Sequence, residues 1–189
     1  PSSAAAMSIL GLCLLSHEKT MSHQLYLLRH SESEPWSPLG NDFSRALSSS
    51  GSRHAQRVSD WALDGLQLPD TVLCSPAKRT RQTLAPFLAH WPKLLGNTEY
   101  VDSIYGASLN MLLTLAEDAF SYSQRLLMVG HNPGVQTMLM ELLRDNRDDS
   151  GYQMTPGTLA VIEFQGGFKR QAGNGKLLNF IRKEDLSVN

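Results

Sequence analysis

Cysteine is nearly absent from this chain, with only Cys13 and Cys74 in 189 residues. Two cysteines supply neither a disulfide framework nor a zinc site, and Cys74, closing an apolar run, reads as an inert core thiol. Excess charge of either sign is missing as well. Seventeen Lys and Arg against 18 Asp and Glu leave a formal net charge of -1. That balance gives no reason to expect nucleic acid or a membrane surface as a partner. The apolar run from Ile9 to Leu15 is far too short to cross a bilayer, and no Lys or Arg precedes it as in a secretory signal. Repeats, low-complexity tracts and domain linkers are lacking too. These absences together point to a protein of the reducing cytoplasm.

What is present suits one globular domain. A chain of this length, 41% hydrophobic and 19% charged, can bury a substantial core without staples. The small, featureless start differs from the rest. Residues 1–21 are expected to lie outside the domain, as an appended remnant, an over-extended start or a disordered tail, and residues 22–189 to form the single domain.

The stretch that organises the chain is Gln24-Leu25-Tyr26-Leu27-Leu28-Arg29-His30-Ser31-Glu32. Its apolar run has strand length and passes straight into a loop rich in turn formers, from Ser33 to Leu47. Ligands of open α/β sheets bind beyond the carboxyl ends of the strands, where Arg29 and His30 fall. A guanidinium beside an imidazole suits phosphate chemistry: Arg clamps oxygens, and His attacks phosphorus or moves a proton.

Further along, Ser48 to Ser50 offer caps for a helix running to Gly65, and Thr71 to Cys74 form a short buried strand. Ser75-Pro76 reads as the N-cap and first position of the next helix, with Pro86 expected to kink or end it. Lys78, Arg79 and Arg81 crowd its first turns against the helix dipole, a conflict that an anion at this helix start would resolve. Thr98 to Val101 is an edge-strand candidate, Asp102 to Ser108 a loop, and Leu109 to Phe120 an amphipathic helix. The strand Arg125 to Gly130 leads into His131-Asn132-Pro133, where Asn132 is expected to cap a helix with Val135, Met138, Leu139 and Leu142 inside. A charged loop, Arg144 to Gly151, precedes two strands, Leu159 to Phe164 and Leu177 to Ile181. Strand-helix alternation predicts right-handed crossovers and a largely parallel sheet. Three strand ends would then bring Arg29, His30, Arg79 and His131 to one edge.

Three motifs carry a family resemblance: Arg29-His30-Ser31-Glu32, Ser75-Pro-Ala-Lys-Arg79-Thr-Arg-Gln82-Thr83, and Gly130-His131. In order and on the right elements, they resemble the histidine phosphatase superfamily from Gln24 to Ile181. The resemblance implies a phosphoglycerate mutase-like fold, a three-layer α/β/α sandwich with a mostly parallel central sheet. It implies a nucleophilic His30 that becomes phosphohistidine, with Arg29, Arg79, His131 and Ser31 binding phosphoryl oxygens, and no metal or cofactor. The chemistry of the residues agrees, since a neutral imidazole, whose ordinary pKa is about 6.5, attacks near pH 7 without a strong base. A metal site on His30 and His131 is the rival reading. It lacks a His-Glu-x-x-His pattern, and neighbouring arginines would repel a cation.

Ser31 stands where many members carry Gly. The general acid is not evident: Asp102 and Asp42 are the loop candidates, while Glu117 and Asp118 read as a solvated helix face and Asp42 could instead hold Arg45. The short interval from Arg79 to His131 lacks the insertions that close over small substrates in other branches. With Asp42-x-x-Arg45-x-Leu47 and the segment Ser103 to Ser108, it most resembles the SixA branch of phosphohistidine phosphatases. The expected partner is therefore a phosphohistidine-bearing protein domain, with phosphate or a phosphate analogue in the pocket. A small-metabolite phosphomonoesterase, or a phosphate-binding module without turnover, are the alternatives. His17, His23, His54 and His90 read as tail or helix-surface residues, and Trp36 as a surface aromatic.

Overall fold

Alternating side chains on the central strands decide the architecture. In the computed structural model, which describes residues 22–144 and 151–186, Leu25 and Leu27 of the first strand face one layer of helices. Tyr26 and Leu28 face the other. The elements run β1 (Ser22–Arg29), α1 (Ser49–Gly65), β2 (Thr71–Cys74), α2 (Lys78–His90), β3 (Thr98–Tyr100), α3 (Leu109–Phe120), β4 (Arg125–Gly130), α4 (Gly134–Leu143), β5 (Leu159–Gln165) and β6 (Lys176–Ile181). One sheet takes them in the order β3-β2-β4-β1-β5-β6. The four strands from β3 to β1 are parallel, while β5 runs antiparallel to β1 and β6 to β5.

Both faces of the sheet are covered, as parallel strands require. Leu112, Leu113 and Ala116 of α3 and Val135, Met138 and Leu139 of α4 pack on Leu25, Leu27, Leu126 and Met128. On the opposite face Val58 and Ala62 of α1 and Leu84 and Phe87 of α2 meet Tyr26, Leu28, Leu127 and Val129. Each such aliphatic or aromatic side chain contributes about 1.5–3 kcal/mol when fully buried, so the two layers hold the strand ends in fixed register. The three-layer, mostly parallel architecture is the one anticipated. Among the described residues no helix is long and apolar enough to cross a membrane.

Several local expectations need correction. Ser75 does not cap α2, which begins at Lys78 with Ala77 as its N-cap and no side-chain cap bond. Asn132 does not cap α4 either, because that helix starts at Gly134 after Pro133 and the Asn132 amide donates to the Met154 carbonyl (3.1 Å). Pro86 lies within α2, which continues to His90; lacking an N–H, it cannot donate to the carbonyl of Gln82, an exposed residue. His54 is buried, at 4% exposure, rather than on a helix surface. The extension 1–21, with Cys13 and His17, and most of the charged loop after α4 fall outside the described residues.

The long loop after β1 is a closed excursion rather than a free segment. Ser33 bridges Leu47 in antiparallel fashion, and a short helical turn, Asp42–Ser44, is capped by the Asn41 side chain. The first turn of α1 then passes directly over the chain that follows His30. A Cβ at Gly51 would lie 1.9 Å from the Glu32 carbonyl oxygen, so only glycine allows this approach. Gly51→Ala is therefore expected to lower stability by about 3 kcal/mol. The check is a urea melt, which should show a lower midpoint and an unchanged m-value.

Candidate active site

Three neighbouring strands, β2, β4 and β1, end side by side. The His30 amide donates to the Gly130 carbonyl (3.1 Å) and the Ser75 amide to the Val129 carbonyl (3.0 Å), so the residues after each strand continue the ladder into one row. His30, His131 and Ser75 stand in that row, all buried. The two imidazole centroids are 5.1 Å apart.

The His30 ring has one possible tautomer in this geometry. Its Nδ1 lies 2.7 Å from the Ser31 carbonyl oxygen, which can only accept, so Nδ1 carries the proton and Nε2 keeps its lone pair. Burial pushes the His30 pKa down to about 4; the Ser31 hydrogen bond opposes this, and Arg79 and Arg29 add to it. His131 falls to about 3, again chiefly by burial, then by Arg79 and His30. Both rings are neutral at pH 7. The Ser75 hydroxyl sits 2.8 Å from His131 Nε2, which orients that ring and leaves its buried Nδ1 without a partner.

The guanidinium groups are anchored by other means. Arg29 donates to the Met154 carbonyl (2.7 Å), and its buried Nε has no partner. Arg79, 5% exposed, donates to the Asp42 carbonyl oxygen (2.7 Å) and carboxylate (2.9 Å), while its own Nε is likewise unpartnered. Asp42 also accepts from Arg45 Nε (2.8 Å) and the Tyr105 hydroxyl (2.7 Å). Tyr105 in turn packs edge-on against His131, with centroids 5.3 Å apart. The anion expected at the start of α2 is thus a carboxylate of the chain itself. Its pKa is held down at about 2, first by the Tyr105 hydrogen bond and then by Arg79. Asp42 in this arrangement is an ionised clamp, unsuited to giving up a proton near neutrality. Asp102 is exposed, at the start of the Asp102–Ile104 turn.

The sequence-predicted residues Arg29, His30, Arg79 and His131 converge here, whereas Ser31 is turned differently. Its amide donates to Thr83 Oγ1 (3.0 Å), and its hydroxyl lies with the His54 ring against Gly157. The rest of the second motif is supporting structure: Gln82 Oε1 accepts from the Leu47 amide (2.8 Å) and holds the loop. Ser75 and Tyr105 were not singled out from sequence. Their signal was present, in the first position of the second motif and in the segment quoted for the SixA resemblance. Among the described residues no three His, Cys, Asp or Glu side chains group as metal ligands.

A neutral imidazole lone pair among guanidinium groups is chemically able to attack a phosphoryl group. A family model described as the histidine phosphatase superfamily, branch 1, matches residues 25–100, which hold β1, Arg29, His30 and Arg79. Over this stretch, under half of its length, the chain is similar to this superfamily. A structure assigned as the phosphohistidine phosphatase SixA of Agrobacterium tumefaciens is 27% identical, over 85% of this chain and 98% of that one, with a TM-score of 0.70. The fold of a SixA protein histidine phosphatase complexed with tungstate superposes with a TM-score of 0.73, over 87% and 99% of the two chains, at 18% identity. The first of these structures likens the chain to the SixA-type branch in sequence and fold, and the second in fold. An uncharacterised protein of Mycobacterium tuberculosis is 32% identical over 101 residues, 53% of this chain. The match spans 61% of that relative's length.

The depressed histidine pKa values predict a pH dependence. The unfolded chain, with histidines near 6.5, binds more protons than the folded one between about pH 4 and 6.5. Stability is then fully present above about pH 6.5 and is lost as pH falls through that window. Urea unfolding at pH 7.5 and pH 5 should show this loss. The drop should be smaller in a His30→Asn/His131→Asn double variant, and a residual slope should remain from His23 and His54, which are shifted in the same direction.

Proposed function

We propose that this protein is a phosphatase that works through a phosphohistidine on His30, and that its substrate is phosphohistidine carried by another protein. The observation that carries this reading is the His30 ring itself: neutral, with Nδ1 fixed as donor to the Ser31 carbonyl and Nε2 free to attack. In the first step Nε2 attacks phosphorus and the P–N bond to the substrate imidazole breaks, its electron pair staying on the departing nitrogen. When the other nitrogen of that ring is protonated, the leaving group departs as neutral imidazole and needs no proton at the broken bond. Water then attacks phosphorus, the P–Nε2 bond breaks back to His30, and phosphate leaves with a proton released to solvent. Arg29 and Arg79 offset charge on the equatorial oxygens throughout, and neutral His131 contributes a hydrogen bond from Nδ1, its Nε2 being paired with the Ser75 hydroxyl.

The substrate choice rests on the carboxylates. A phosphomonoester leaves as an alkoxide that must be protonated, and Asp42 is committed as an ionised partner of Arg79, Arg45 and Tyr105. A phosphoramidate has no such requirement. A cytoplasmic setting belongs to the same proposal and fits Cys74, a buried free thiol whose pKa burial raises to about 12.

The test compares hydrolysis of a phosphohistidine-bearing protein domain with that of an aryl phosphate, without added metal. The expected outcome is turnover of the phosphohistidine substrate, lost in His30→Ala and reduced about a hundredfold in Arg79→Ala. Rapid aryl-phosphate turnover with none on phosphohistidine would instead favour a metabolite phosphomonoesterase.

A further inference from the structure

Beside the phosphoryl pocket, between the loop after β1 and helix α2, lies an open groove of about 650 Å³. Leu39, Phe43, Leu88 and Tyr100 line it, and Leu39 is 76% exposed. Phe43 and Tyr100 also face water. Contiguous apolar side chains left in solvent mark an interaction surface rather than packing. The groove adjoins the site directly: Phe43 follows Asp42 in sequence and packs edge-on against Tyr105, centroids 5.2 Å apart, and Tyr105 packs on His131.

The charges on this groove have one sign. Lys78 and Arg81 line it, three residues apart on one face of α2, and no acidic residue does. Neither cation has a carboxylate partner among the described residues; Arg81 lies over the Tyr100 ring at 4.3 Å, which leaves its charge available outward. The polar side chains along the groove are engaged within the protein. Ser37 Oγ accepts from the Leu39 amide, Ser44 Oγ donates to Asn41, and Gln82 Oε1 accepts from the Leu47 amide. A small ligand is oriented by convergent polar groups, and here they are already satisfied. What remains is an apolar floor with two flexible cations at its edge.

Resting on the phosphohistidine reading above, we infer that this groove docks the substrate protein through an acidic, amphipathic segment near the phosphohistidine. Apolar side chains of that segment cover Leu39, Phe43 and Tyr100, and its carboxylates meet Lys78 and Arg81. The phosphoryl group is thereby presented to His30.

The test uses free phosphohistidine and two synthetic peptides of equal length, each bearing one phosphohistidine among leucines, one flanked by glutamates and the other by lysines. The wild-type protein is expected to favour the acidic peptide by about tenfold in kcat/KM at low ionic strength, with the preference shrinking as salt is added. In Lys78→Glu/Arg81→Glu the acidic peptide should lose about tenfold, through KM, and the preference should reverse. Free phosphohistidine should be turned over within about twofold of wild type, which also reports that the variant is folded. An unchanged acidic-peptide rate in the variant, or equal losses on the peptide and free phosphohistidine, overturns docking while the phosphatase reading stands. Wild-type protein inert on all three substrates sinks that reading and the docking with it.

Discussion

The parallel pairing of β2, β4 and β1 is the constraint on which the rest depends. Register places Arg29 beside Gly130, and the hydrogen bonds from His30 to Gly130 and from Ser75 to Val129 carry the alignment one residue past each strand. Two imidazoles and the hydroxyl that orients one of them therefore stand in a row without any loop having to find its place. The two helical layers press on both faces of these strands, so the row inherits the rigidity of the core. An error of one residue in any pairing would turn the side chains to the opposite face and dissolve the site.

On that row the electrostatics are divided between the imidazoles and the guanidinium groups. Burial and the neighbouring arginines keep both imidazoles unprotonated, which preserves their lone pairs but would leave unbalanced positive charge around Arg79. Asp42 supplies the balance. Its carboxylate and backbone oxygen take the two terminal nitrogens of Arg79, while Arg45 and Tyr105 hold the carboxylate in place. A residue that resembles a general acid in sequence is, in the fold, the group that positions the Arg79 guanidinium.

Much of this was legible in the sequence, for identifiable reasons. Strand-helix alternation and strand-end chemistry placed Arg29, His30, Arg79 and His131 together, because a parallel sheet leaves few topologies to choose from. The dipole conflict at the start of α2 indicated an anion but not which one, since Asp42 lies 37 residues from Arg79. Ser75 was misread because a Ser-Pro pair is also a common helix start, and nothing local reveals that its hydroxyl meets a histidine 56 residues away. Burial of His54 depends on its packing against Gly157, where a Cβ would approach the ring to 2.5 Å. Such contacts between distant segments are where one-dimensional patterns carry least.

The claim at the centre of this account is that phosphorus is transferred to His30 before water takes it. Rapid-quench labelling at alkaline pH, followed by mass spectrometry of the digested protein, tests it most directly. The account predicts a single phosphoryl group, stable to alkali and labile to acid, on the peptide containing His30 and formed within the first turnover. Turnover with no phosphoryl group on the protein, or with the group on His131, would contradict it.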